Sequence, residues 1–496
     1  MSSHFDVLIR GATVYDGSGA PGAAADVAID GERIARIGSL DACSATREVA
    51  ADGLALTPGF IDVHTHDDFA ALASPDMGFK SRGGVTTCIV GNCGFGAAPF
   101  DAALQMLGKL TPGQEPPHYQ GHAGYASVLE ASPTGVNIGV LAGHGTLRLA
   151  AMGRDDRDAT DAEMAQMKAT LHEALDAGVF GFSSGLAYEP GRYAGTDELV
   201  ELASEMRSAR GIYATHLRDQ GADLVASVDE AIAIGERAGV SVQISHHKAS
   251  FRENWGMVGE SLERIEAAQS RGVRVYADQY PYTAGSTMLE AVLLNGAFTD
   301  SGPMASLGPA EVVIASAPGR ADWEGQSIEV ISANLGLGPR QAAERVVEQV
   351  PSATAILHMI SEDDVRKVMR HPSTMIGSDG IPAVGGRPHP RLFNSFARVL
   401  GHYARDEPVF DLATAVFRMT GFSADTFALR DRGYIKEGSF ADLVLFDANT
   451  IVDRGTFEDP NQYPDGIREV FVNGRLAVAG DIVTDERAGQ VLRRNV

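Results

Sequence analysis

Eight short apolar runs in this chain each end in a polar or metal-binding residue, and that repetition narrows the available folds more than any other feature. Gly59-Phe60-Ile61-Asp62-Val63 runs into His64-Thr65-His66, and Thr86 to Val90 runs into Gly91-Asn92-Cys93-Gly94. Ile138 to Leu141 leads to Gly143-His144, Val179 to Phe182 to Ser183-Ser184-Gly185 and Tyr188, and Ile212 to Ala214 to Thr215-His216. Val242 to Ile244 leads to Ser245-His246-His247-Lys248, Val273 to Ala277 to Asp278-Gln279-Tyr280-Pro281-Tyr282, and Thr374 to Ile376 to Gly377-Ser378-Asp379-Gly380. Helix-length connections space the first seven. Apolar runs of this kind suit strands buried on both faces, and convergent chemistry at strand C-termini suits an α/β (β/α)₈ TIM-like barrel. A doubly wound open sheet also alternates strand and helix but needs no such convergence, and neither G-x-G-x-x-G nor G-x-x-x-x-G-K-[ST] opens a helix here.

The helices between these strands have readable ends. Thr160-Asp161-Ala162-Glu163 is a capping box ahead of Met164, Met167, Leu171 and Leu175 at helical spacing, with Gly178 as the stop. Further helices are expected from about Asp197 to Gly211, Asp223 to Gly239 and Ser261 to Gly272. About ninety residues separate strands seven and eight, which predicts an insertion over the rim, about 285–350. Short β-rich pieces before residue 56 match others near the far end, among them Ala441 to Asp447 and Val470 to Arg475 with an Asn473-Gly474 turn. Both termini are therefore expected to build one small β-sandwich (1–56 and 425–496) beside a barrel of 57–424.

A formal charge of −24 argues against a chain that neutralises phosphates or coats an anionic membrane. No run approaches the length of a membrane span. Three cysteines in 496 residues are too few for a disulfide framework. With no basic-then-apolar leader at Met1-Ser2-Ser3, a cytoplasmic location is expected.

His64-Thr65-His66 puts two imidazoles on one side of a strand end, an arrangement that suits a divalent metal or a hydrogen-bonded pair of rim histidines. Cys93, His216, His246 and Asp379 at four other strand ends favour the metal. Cys88 reads as a core residue and Cys43 as incidental. His144 reads as supporting, and His247, one residue from a candidate ligand, should point away from the rim.

Thr57-Pro58-Gly59-Phe60-Ile61-Asp62-Val63-His64-Thr65-His66 resembles the opening motif of the amidohydrolase superfamily, metal-dependent hydrolases on this barrel. Together with Gly91-Asn92-Cys93-Gly94, Gly181 to Tyr188, Ser245 to Lys248, Gly377 to Gly380 and His389-Pro390-Arg391, it looks like the N-acyl-D-amino-acid deacylases (D-aminoacylases). The resemblance implies hydrolysis of the linear amide of an N-acyl-D-amino acid, with Zn2+ held tightly by Cys93, His216 and His246. It also implies a second, weaker site bordered by His64, His66 and Asp379. Asp379 would be the general base, Tyr188 would donate to the oxyanion, and Lys248, Tyr282, Ser286 and Arg391 would hold the substrate carboxylate. Cys93 stands where many relatives use a carboxylated lysine or a glutamate. No nucleic-acid or membrane partner is implied.

A cyclic-amide hydrolase of the dihydroorotase or hydantoinase kind shares the barrel, but a carboxylated lysine on strand four would mark it and Val179 to Tyr188 has none. A silent scaffold has no use for the retained ligands and Asp379. After Tyr-Pro-Tyr, Ser286 to Leu294 carries no cation, only Glu290, which predicts neutral, apolar substrate side chains.

Overall fold

The computed structural model describes residues 4–111, 116–209, 211–382 and 385–494. Met1 to Ser3 and residue 210, within the expected 197–211 helix, lie outside the described residues. Eight parallel strands follow one another round a barrel: Phe60–Asp62, Val85–Val90, Asn137–Gly143, Gly181–Gly185, Ile212–His216, Ser241–Ile244, Val275–Gln279 and Thr374–Ile376. Strands two and three are buried along their whole length, as two-sided packing demands. The last and first strands share no ladder. Their seam is closed beyond the strand ends by a Thr65–Gly380 bridge, with His66 N–H donating to Gly380 O at 3.0 Å and Asp379 N–H to His64 O at 2.7 Å.

The outer helices start close to where capping and periodicity place them, although the one expected to reach Gly211 spans only Thr196–Ser204. Thr160 accepts from Glu163 N–H while Glu163 accepts from Thr160 N–H, and the helix Asp161–Asp176 buries Met167, Leu171 and Ala174. Met167 and Leu171 each contribute about 1.5–3 kcal/mol on burial, and the single methyl of Ala174 contributes less. Helix Leu224–Ala238 stops at Gly239 in the left-handed conformation.

Both termini supply one continuous nine-stranded sheet. Its order runs Ile482–Val483, Arg475–Ala479, Ile467–Val472, Leu443–Phe446, Ala55–Pro58, His4–Val14, Ala23–Asp30, Arg33–Gly38, and Ser44–Ala50 also pairs with His4–Val14. The stretch after residue 425 does more than build this sheet. Phe427 and Leu429 join Ile61, Val63, Leu141 and Ile212 of the barrel in one buried cluster. Ile138 N–H donates to Gln490 O and Leu492 N–H to Ile138 O, so the C-terminal tail runs along the barrel's N-terminal end.

The insertion is a lobe with its own antiparallel sheet, Ala284–Met288 and Val312–Ser316 flanking a central Thr354–His358. That buried central strand carries the lobe past residue 350. Helices Leu289–Leu294, Ile328–Leu335 and Pro339–Gln349 complete it. No described helix is long and apolar enough to cross a membrane.

Candidate metal centre and active site

The strand ends deliver six donor residues to one point at the C-terminal rim. Cys93 Sγ lies 3.3 Å from His64 Nε2, 3.5 Å from His246 Nε2 and 3.8 Å from His216 Nδ1. Asp379 Oδ1 lies 3.2 Å from His66 Nε2 and 3.5 Å from His64 Nε2. Two sets, His64–Cys93–His246 and His64–His66–Asp379, each bring their ligand atoms within 4.8 Å of one another, so His64 belongs to both and stands where His216 was expected, while His216, 3.8 Å from Cys93 Sγ, is in neither.

Holding these groups together requires unusual backbone. Cys93, His246 and Asp379 have φ of 54°, 38° and 49°, a left-handed region that side chains other than glycine seldom adopt. Such outliers cluster where a site dictates geometry. The Cys93 loop also needs a bare neighbour, because a Cβ on Gly185 would sit 2.1 Å from Cys93 O.

Burial opposes ionisation of the Cys93 thiol, yet His64, His246 and His216 outweigh it and hold the thiol well below its ordinary range. Burial likewise disfavours the Asp379 carboxylate, but Arg391, His246, His64 and His66 keep it well below the usual carboxylate range. For His66, burial is overcome by Asp379 and Cys93, which lift the imidazole to about 9. Burial and Lys248 push His246 down. The supporting shell is fixed by Asp278, which lies 3.2 Å from His64 Nδ1 and accepts from His246 N–H and Gln243.

Above the cluster opens a cleft lined by His66, Cys93, Tyr188, His216, His246, Lys248, Ser286 and Asp379. Burial pushes the Lys248 ammonium down to about 8 despite Asp379. Arg391, 1% exposed, lies 2.9 Å from Asp379 Oδ2, donates to Ser286 O at 3.2 Å, and sits 4.5 Å over the Tyr280 ring. Tyr188 packs on Phe95 and His216, and its phenol is 3.1 Å from Thr287 Oγ1 of the inserted lobe.

Two of the expected substrate-binding residues do not line this cleft: Arg391 is held to one side by Asp379 and Ser286, and Tyr282 lies farther off. Tyr282 is buried against His389, Phe457 and Arg398, and Tyr280 lines the cleft in its stead. Glu290 also faces elsewhere, paired with Lys109. His247 points away onto Ser261, and His144 is held by Glu198. Missing from the sequence reading was Lys80, a fully buried ammonium beneath the metal cluster. A lone lysine within the four-residue helix Gly78–Ser81 carries no sequence signal of burial.

The amidohydrolase family profile matches residues 47–478. The chain is 41% identical to a D-aminoacylase of Alcaligenes xylosoxydans xylosoxydans, over 99% of this chain and 98% of that one. A solved D-aminoacylase, studied for the role of its binuclear metal centre, superposes with a TM-score of 0.89 at 39% identity, covering 99% and 100% of the two chains. N-acyl-D-glutamate deacylase from Bordetella bronchiseptica, solved with zinc and a phosphonate mimic of the tetrahedral intermediate, gives 0.90 at 38% identity with the same coverage. Strand order, donor set and full-length similarity agree: the chain belongs to the amidohydrolase family.

Proposed function

We propose that this protein is a zinc-dependent N-acyl-D-amino-acid deacylase, releasing a carboxylate and a free D-amino acid. The observation that carries the reading is the juxtaposition of a thiolate–imidazole–carboxylate cluster with the buried cation Lys248 in one cleft, and with Arg391 paired directly to Asp379 at its wall. The donor set fits zinc: a thiol already biased to its thiolate stands with imidazoles at distances one ion can span, and His66 Nδ1 is buried without a hydrogen-bond partner. Cys93, His216 and His246 would hold the tight ion, with His64, His66 and Asp379 beside a second. Bound there, zinc would supply Lewis acidity to the scissile carbonyl and to the attacking water.

The remaining chemistry belongs to the chain. Asp379 Oδ1 takes the proton of the attacking water and passes it to the leaving amine. Tyr188, its phenol kept protonated by burial, donates to the developing oxyanion. Arg391 and Lys248 take the α-carboxylate, with Ser286 and Tyr280 shaping its seat. A substrate carboxylate on Arg391 shares the guanidinium with Asp379 and so relaxes the hold that keeps Asp379 deprotonated.

Phe95, Leu110, Met288, Met304, Leu357 and Met359 give the cleft an apolar part, beside the uncharged polar Gln220, Ser250, Thr287 and Asn295 and the acidic Asp219. Arg218 also reaches it, but that guanidinium is forked onto Glu230 at 2.9 and 3.0 Å. Burying a second substrate carboxylate against this surface is costly, so neutral side chains are preferred.

The test is metal analysis with detection of released amine from N-acetyl-D-methionine, its L-enantiomer, N-acetyl-D-glutamate and a hydantoin. Zinc-dependent turnover of the D-methionine derivative above the others is expected. Preferred opening of the hydantoin would overturn the linear-amide reading, and preference for the glutamate would overturn the side-chain assignment.

A further inference from the structure

Lys80 lies below the rim cluster, only 2% exposed, where a lysine finds no water. Its ammonium donates to Asp62 Oδ2 at 2.8 Å, Thr65 Oγ1 at 2.9 Å and Ser378 Oγ at 2.9 Å, which uses all three protons. Asp67 adds a second carboxylate at 3.3 Å. These partners come from the two segments that leave the first and last barrel strands, where the barrel has no strand ladder.

The same atoms set the backbone around Asp379. Ser378 donates to Asp62 through its N–H at 2.8 Å and its hydroxyl at 2.5 Å, and Ser378 Oγ accepts from Gly380 N–H at 3.0 Å. Asp379, between them, is thereby pinned on both sides in its left-handed conformation. On the facing segment, Asp62 Oδ1 also accepts from His64 N–H at 3.4 Å, and Thr65, held by Lys80, donates to Asp67 at 2.9 Å. A Cβ on Gly380 would approach Lys80 Nζ to 3.0 Å, so the loop closes directly over the ammonium.

We infer that Lys80 is a positioning residue for the reaction: by fastening Thr65 and Asp62 to Ser378 across the open seam, it fixes Asp379 relative to His64 and His66. This rests on the reading of Asp379 as the base. Small displacements of a reacting group cost rate steeply, and no hydrogen bond or ion pair of Lys80 reaches a group that holds substrate.

The experiment is a double-mutant cycle on the zinc-loaded protein with N-acetyl-D-methionine. Lys80→Met is expected to lower kcat by roughly ten- to a hundred-fold while KM stays within about two-fold. In the Asp379→Asn background the same substitution should change kcat by less than about two-fold, because the group it positions no longer accepts a proton. If Lys80→Met multiplies the loss equally in both backgrounds, or raises KM in step with the fall in kcat, Lys80 does not act through Asp379 and the inference is overturned. An Asp379→Asn variant with unchanged kcat overturns the base assignment itself, a result distinct from equal factors. Should Lys80→Met fail to fold, Ser378→Ala takes its place in the cycle, with the same dependence on Asp379 expected and its absence decisive against the proposal.

Discussion

Two clusters of buried charge share the segments that leave barrel strands one and eight, and they are built to opposite specifications. In the seam, Lys80 places every proton on Asp62, Thr65 or Ser378, and Asp62 accepts on both oxygens. At the rim, four histidines, a cysteine and an aspartate crowd one another beside Arg391, Lys248 and Asp278, and His66 Nδ1 is buried without a partner, as is Asp67 Oδ1 in the seam. Lys80 uses all its protons on the seam's own groups, whereas the rim gathers thiol, imidazole and carboxylate donors of the kind that suit a divalent metal. The contrast matches the roles proposed for the two clusters, one to react and one to position, although both lie out of water and both contain carboxylates.

The sharpest way to break the comparison is to remove the rim's thiolate. Cys93→Ala should lose tight zinc and reduce activity to background while far-UV circular dichroism stays unchanged, because the seam below is intact. Metal analysis of the purified variant checks it. Full zinc with full activity would mean that Cys93 is only a core residue and that the rim's chemistry has been misassigned.

Asp379→Asn comes next. It keeps shape and removes the proton acceptor, so kcat should fall by about 10²–10⁴-fold with zinc retained. Near-normal kcat between pH 6 and 9 would move the base elsewhere. Arg391→Lys should cost less, raising KM by roughly ten-fold or more, because an ammonium replaces a forked pair of charge-assisted donors by one. N-acyl-D-amino-acid amides, which lack the carboxylate, should be poor substrates for the parent protein, and equal turnover of acid and amide would refute the clamp.

The rim was legible in the sequence because strand alternation and glycine-terminated helices fix where each strand ends, and the residue after the end is then the one exposed to the cleft. Where the chain leaves regular structure, that logic stops. Tyr280 and Tyr282 flank Pro281 in a turn, so a two-residue offset no longer means the same face, and the nearer tyrosine lines the cleft. The strand Ser44–Ala50 shows a mostly exposed pattern with little apolar alternation, and it is held by pairing with the long first strand. Lys80 was illegible for a different reason: its partners are Asp62, Thr65 and Ser378, and the last is 298 residues away.

The smallest expected effect tests where the cleft ends. From sequence, Glu290 follows the last strand residues near the substrate and would repel an acidic side chain if it faced the site. In the structure it sits at the start of helix Leu289–Leu294, partly exposed and paired with Lys109, in a smaller pocket behind Tyr188 and Met288. A neutralised charge beyond a phenol and a thioether contributes little to the potential in the main cleft, and an exposed pair of this kind contributes at most about 1 kcal/mol to stability. Glu290→Gln should therefore change the ratio of kcat/KM between N-acetyl-D-methionine and N-acetyl-D-glutamate by less than about two-fold, about the scatter of such a comparison. The preference then comes from the apolar part of the lining itself. A several-fold gain in glutamate turnover in this variant would place Glu290 within reach of the substrate and join the two pockets into one site.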